Sequence, residues 1–317
     1  MVTSKGVGLA VPDWPTTFGY NMFLFPVSQW VGGILFEHTH RLIASVVGIL
    51  TIVLAVALSR VEDRRYLRRL GWIALGAVVF QGVLGGLRVT MLKDEIGIFH
   101  ACIAHSFFAL LVFIALATTR TWRRIEPAFA GYELRAAQRL SILLAVLIYG
   151  QLALGATMRH QHRDLAILDF PTANGQWIPD TSAPALEKIN EWREARALSD
   201  VRASHIWLQM AHRLNAIAVA AIVVALWFAA RKLTVTPPPL SRITNVLLVA
   251  IAIQLVLGAW TIWSNKAADV ATAHVAVGAV SLVLAVSCAA LAFRFSEDAQ
   301  DRQSLVAETQ SPRHVIA

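Results

Sequence analysis

Glu37-His38-Thr39-His40-Arg41-Leu42 opens the apolar run from Ile43 to Leu58, and the reading of this stretch decides the fold. An apolar run of this length reads as a membrane helix. Ionisable side chains at the head of such a helix are costly in lipid and read first as functional. On a helix, Glu37, His40 and Arg41 stand at i, i+3 and i+4 and share one face, while His38 points roughly the other way. A relative appears at Gln209-Met210-Ala211-His212-Arg213-Leu214, again opening an apolar helix. The same His-Arg-Leu at the head of two spans points to a duplicated site.

The composition agrees with a membrane protein. Of 317 residues, 56% are hydrophobic and 15% charged, too apolar for a water-soluble domain. The net charge of +8 sits in short loops between apolar segments, so positive-inside bias explains it better than nucleic acid, and no nucleic-acid partner is expected. Cys102 and Cys288 both fall inside spans, with neither disulfide nor metal spacing. Seven spans are predicted, at about 36–59, 71–90, 96–119, 138–158, 205–230, 242–263 and 269–294. The fold class is therefore all-α and polytopic. Arg-rich loops follow the first, third and fifth spans, which places them and the C-terminus in the cytoplasm and residues 1–35 and 159–204 outside.

The repeat extends well beyond one motif. Gln81 and Gln254 begin Gln-Gly-Val-Leu-Gly and Gln-Leu-Val-Leu-Gly, and His100 is matched by His274. The outer loops also match, Leu9-Ala10-Val11-Pro12-Asp13-Trp14-Pro15-Thr16 against Leu165-Ala166-Ile167-Leu168-Asp169-Phe170-Pro171-Thr172. Two pseudo-symmetric bundles follow: residues 1–130 with three spans and 131–296 with four, before a polar tail at 297–317. An even number of spans separates the copies, so the halves run parallel about an axis along the membrane normal. The span at 138–158 has no partner in the first half. The expectation is a reading frame that extends upstream of Met1 and encodes about twenty further apolar residues.

His40, His100, His212 and His274 sit at similar depth, two per half. Paired imidazoles on facing helices commonly hold a haem iron. The alternative is four interfacial histidines, each bonded to a loop. Their two-per-half repetition favours the haem. Ala44, Ala104, Ala216 and Gly278 follow the four histidines at i+4, where a small residue admits a flat macrocycle or serves helix packing. A non-haem metal held by Glu37, His38 and His40 is a weaker rival, without a counterpart in the second half. His105, His160, His162 and His205 lack repeat partners and read as structural. Glu37 is matched by Gln209. A carboxylate beside only one site suggests proton chemistry or stabilisation of a developing cation there, against a simple pair with Arg41. Asp13 and Asp169 read as helix caps or as loop residues near haem propionates. Arg41 and Arg213 are the better propionate partners, because a guanidinium can bind a carboxylate bidentately.

Glu-X-X-His-Arg on a span, the Pro-Asp-Trp-Pro-Thr loop before it and the three further span histidines resemble the haem A synthase family over nearly the whole chain. The resemblance implies eight helices in two four-helix halves and oxidation of the C8 methyl of haem O to a formyl group, making haem A for terminal oxidases. It implies haem O as substrate at His40 and His100, haem b as cofactor at His212 and His274, and Glu37 as catalytic. The chain departs from the family in lacking the first helix and the outer-loop cysteine pair of some members. Expected partners are haem O, membrane lipid, a haem O synthase, an electron donor and a second copy of the chain, in the inner (cytoplasmic) membrane. The alternatives are a diheme b-type electron-transfer protein and a haem-handling transporter or chaperone.

Overall fold

The computed structural model describes residues 9–125, 129–161, 163, 165–233 and 237–297. Its long helices are α1 (Gly32–Val61), α2 (Arg65–Met91), α3 (Asp94–Thr118), α5 (Gly131–His160), α7 (Ala203–Arg231), α8 (Pro238–Trp263) and α9 (Ala268–Arg294). All seven are long and apolar enough to cross a membrane, as the hydropathy predicts. Each outruns its apolar stretch by some residues, because backbone hydrogen bonding continues into the polar ends.

Three smaller features were not predicted. α4 (Arg120–Arg124) is a single turn capped by the Thr119 hydroxyl, which accepts from the Trp122 N–H. α6 (Ala183–Glu194) starts with a proline in its first turn and lies within the long second loop. The short strands β1 (Phe129–Ala130) and β2 (Ser296–Glu297) pair in parallel. The tail beyond Glu297 and His162 lie outside the described residues.

The packing separates the two copies of the repeat. α5, α7, α8 and α9 close a ring, in which α5 packs on α7 and α9, and α8 on α7 and α9. In the first copy α2 packs between α1 and α3, and among the described residues no fourth helix closes the ring. α3 leans on α5 and α9 and joins the two groups. The main apolar core includes Leu144, Ile148, Val223, Leu226, Leu247, Ile251, Leu282, Ala285 and Leu291. These residues lie toward the arginine-rich end of the helices, where a continuous core stabilises the bundle. The histidines lie toward the opposite, loop-bearing end. Outward faces stay apolar, with Ile49, Val79, Ile217 and Val256 exposed as lipid contact requires.

Glu62 fixes the turn between α1 and α2. Its buried carboxylate accepts from Arg64 Nε at 2.7 Å and from Arg123 Nη2 of α4 at 3.1 Å. The hydrogen bond from Arg64 dominates and holds the Glu62 carboxyl down to about 2.

Candidate haem-binding sites

The two outer loops have one design. Asp13 accepts from the Thr16 hydroxyl at 2.5 Å and from the Phe18 and Gly19 N–H groups at 2.8 Å each. Asp169 accepts from the Thr172 hydroxyl at 2.6 Å and from the Asn174 and Gly175 N–H groups at 2.7 and 2.9 Å. The glycine after each hydrogen-bonded residue has positive φ, +78° at Gly19 and +79° at Gly175, which favours a residue without Cβ. Burial opposes the charge on both aspartates, but these donors outweigh it and hold both carboxyls below the ordinary value. The aspartates thus build turns by local side-chain to backbone bonding.

Glu37 and Gln209 anchor these loops to α1 and α7. Gln209 makes a closed pair with the Ile167 backbone, accepting its N–H at 2.8 Å and donating to its carbonyl at 3.1 Å. Glu37 accepts the Val11 N–H at 3.0 Å but has no N–H to return. Arg41 supplies the missing donor. Its Nη2 reaches both Glu37 Oε1 at 2.9 Å and the Val11 carbonyl at 3.1 Å. Its Nη1 donates to the carbonyls of Asp13 and Thr16, at 2.7 and 3.0 Å. All four terminal N–H groups of Arg41 therefore have acceptors. Arg213 holds the second loop through the carbonyls of Thr172 and Asp169, at 2.8 and 2.6 Å.

Three of the four repeat histidines share one environment. Gln81 Nε2 donates to the His100 carbonyl at 3.0 Å, Gln151 to that of His212 at 2.9 Å, and Gln254 to that of His274 at 2.7 Å. Four residues on, the same helix presents a glycine to the imidazole. An added Cβ at Gly85, Gly155 or Gly258 would lie 3.5, 3.4 or 3.3 Å from the Cε1 of His100, His212 or His274. The motif is Gln-x-x-x-Gly, whose i, i+4 spacing puts both residues on one helix face. In the sequence Gln81 and Gln254 stand as markers of the repeat, and Gln151 has the same spacing from Gly155. Their helical spacing from a glycine was the signal that they belong to the histidines. Gly278, the small residue at i+4 from His274, behaves differently: a Cβ there would meet the Gln254 amide and Leu152.

His212 and His274 face each other with ring centroids 6.4 Å apart. Two imidazoles on opposite sides of one iron stand about 6–6.5 Å apart, given a metal–nitrogen bond of about 2 Å and about 1.1 Å from that nitrogen to the centroid. The pair thus fits bis-histidine ligation of a haem iron. The Nδ1 atoms of His100, His212 and His274 are buried without a hydrogen-bond partner among the described residues. Those of His212 and His274 belong to the pair that fits. His40 and His100 lie within electrostatic range of each other, but among the described residues they make no such ring contact.

The remaining histidines divide by environment. His38 is fully buried beside Phe25 and Trp30, with Nδ1 at 3.3 Å from the Thr17 hydroxyl. His105 Nδ1 bonds to the Ala101 carbonyl at 2.7 Å, and His205 Nδ1 accepts the Arg202 N–H at 3.1 Å. His160 packs against Gly97. Among the described residues no three of His, Cys, Asp and Glu gather closely enough to hold a metal ion, which weakens the non-haem rival.

A helical membrane protein with seven spans among the described residues, and two histidines from each copy of its repeat toward one end of the helices, is the class these observations define. The chain belongs to the COX15-CtaA family of cytochrome oxidase assembly proteins, whose sequence model matches residues 1–286. It is 30% identical over 196 residues to the heme A synthase of Shouchella clausii (strain KSM-K16), covering 59% of this chain and 61% of that protein. It is 28% identical over 227 residues to the heme A synthase of Symbiobacterium thermophilum, covering 70% of this chain and 66% of that one. The heme A synthase of Chelativorans sp. (strain BNC1) matches at 26% over 267 residues, 82% and 70% of the two chains. The chain thus spans about three fifths of the length of the first of these relatives.

Proposed function

We propose that this chain is a haem A synthase, an oxidoreductase that converts the C8 methyl group of haem O to a formyl group for assembly of terminal oxidases. Family membership and relatives that carry this name support the reading. The observation that carries it furthest is the contrast between the copies: two span histidines in each and, among the described residues, a buried carboxylate beside them in the first copy alone. The division into a substrate bundle at 1–130 and a cofactor bundle at 131–296 is part of the proposal.

In the second half His212 and His274 would hold the iron of haem b, with Gln151 and Gln254 fixing the backbone beneath each ring. Bound there, haem b supplies one-electron chemistry. In the first half His40 and His100 would hold haem O as substrate. Glu37 is the catalytic carboxylate of this reading, fixed by Val11 and Arg41, and it takes up a proton or stabilises positive charge developing on the substrate. Arg41 and Arg213 are the cofactor-binding arginines of this reading: both hold the loops over the haem edges, Arg41 with its four terminal donors on Glu37 and loop carbonyls, while Arg213 has two of its own there and offers the rest to a propionate. The arginine-rich end and the C-terminus face the cytoplasm in an inner membrane. A haem O synthase, an electron donor and a second copy of the chain are the proposed partners.

Co-expression with a haem O source, followed by extraction and chromatography of the pigment, tests the reading. Haem A or a hydroxylated haem O is the expected product. Haem B alone would overturn it in favour of electron transfer, and unmodified haem O in favour of carriage.

A further inference from the structure

The face of α2 that serves His100 continues one step past its glycine. Gln81, Gly85 and Arg88 stand at i, i+4 and i+7 on one stripe. Gln81 holds the His100 backbone and Gly85 faces its ring. Arg88 comes next toward the loop-bearing end. An added Cβ at Gly97 would lie 2.8 Å from Arg88 Nε, so the arginine lies across α3 there. Gly97 precedes His100 by three residues on the same face of α3, a little under one helical turn, or about 4.5 Å, further out. The half-buried guanidinium is within electrostatic range of Glu37, His40 and His100. Among the described residues no group accepts a hydrogen bond from it or ion-pairs with it. Asp94 at the start of α3 is within electrostatic range, yet it is exposed and forms no ion pair with Arg88.

A half-buried guanidinium at this depth is costly without an anion. The corresponding positions in the second copy carry no such charge. On α8 the same stripe reads Gln254, Gly258, Thr261, and the Thr261 hydroxyl turns back to the Leu257 carbonyl at 2.8 Å. On α5 it reads Gln151, Gly155, Met158. At this position of the stripe the cation therefore occurs only on α2, in the copy that contains Glu37. Arg41, the arginine beside Glu37 on α1, has its four terminal donors on Glu37 and loop carbonyls.

We propose that Arg88 binds a carboxylate of the molecule held by His40 and His100, and that this carboxylate is a haem propionate. The inference rests on the assignment of haem O to the first half. A guanidinium binds a carboxylate through two parallel N–H···O bonds and so fixes direction as well as position. A haem ring carries four methyl groups on a nearly square frame. Anchoring its propionate edge at Arg88 fixes the rotation of the ring and thereby which methyl group stands at Glu37. Arg88 is in this sense a specificity determinant.

The test is titration of detergent-solubilised protein with haem O and with haem O dimethyl ester, whose propionates carry no charge. The first-half signal is the absorbance that His40→Ala removes, and the second-half haem b spectrum reports folding in each variant. Arg88→Gln is expected to weaken haem O binding about tenfold to a hundredfold, the loss of a charge-assisted pair, and to leave ester binding unchanged. Arg88→Lys is expected to restore part of the difference. Equal loss for acid and ester, or no loss for either, overturns the proposal while the substrate assignment stands. Absence of any His40-dependent haem in the parent protein overturns that assignment, and the proposal with it.

Discussion

The two copies of the repeat share a scaffold and differ at a few side chains. In the second, four helices close around His212 and His274, and the loop is held by Gln209, an uncharged amide that satisfies both backbone groups of Ile167. In the first, Glu37 replaces the amide, Arg41 completes the same bonding to Val11, and Arg88 replaces Thr261. The loop anchor is preserved while charge is introduced beside the histidines. On the proposed reading, the duplicated scaffold keeps one site for a resident group and turns the other to chemistry without rebuilding the fold.

The largest expected effect is on the closed bundle. His212→Ala or His274→Ala removes a proposed iron ligand, and the low-spin haem b spectrum should vanish from membranes that still contain the protein. Retention of the parent spectrum by both variants would rule out the ligand pair.

Glu37→Gln makes the first copy resemble the second. A glutamine there has the donor that Gln209 gives to Ile167, so the loop anchor survives. Bound haem should therefore be retained while conversion of haem O falls about a hundredfold, the scale of general acid–base catalysis. Haem A formed at the parent rate would return Glu37 to the anchoring role that Gln209 has.

Gln254→Leu tests the socket that three of the four histidines share. It removes the donor to the His274 carbonyl, and haem b affinity should fall about tenfold, the lower end of what supporting groups of a metal ligand contribute. Spectrophotometric titration measures this. Gln254→Glu, which retains the volume, should keep more affinity than leucine does, and equal affinities in all three proteins would deny the glutamine a positioning role.

The smallest effect belongs to the arginine-rich end, away from both sites. Glu62→Gln should lower stability by about 1–2 kcal/mol, the scale of a hydrogen bond to a charged group. Because Arg64 depresses the Glu62 carboxyl, its contribution is full above the ordinary value of 4.5 and is lost as pH falls toward about 2. Thermal melts of parent and variant should therefore differ at neutral pH and converge in acid. A gap independent of pH would point to packing alone.

The seven spans, the duplicated histidines and the Glu37–Gln209 contrast are all legible in the sequence, because hydropathy runs and repeats are written in local order along the chain. The span ends, the helix within the second loop and the partners of each polar group are not. Arg41 is read as a propionate clamp from its neighbours on α1, yet its donors go mainly to carbonyls more than twenty residues away in the loop. Gln81, Gln151 and Gln254 are visible as a motif, but what each holds is a carbonyl on another helix. Arg88 stands near the end of a predicted span with nothing in the local sequence to mark it, and only packing lays it across Gly97. The reason is physical. The bilayer selects helices by local apolarity, whereas inside it each polar group must find its partner on whichever helix or loop the packing brings within hydrogen-bond reach.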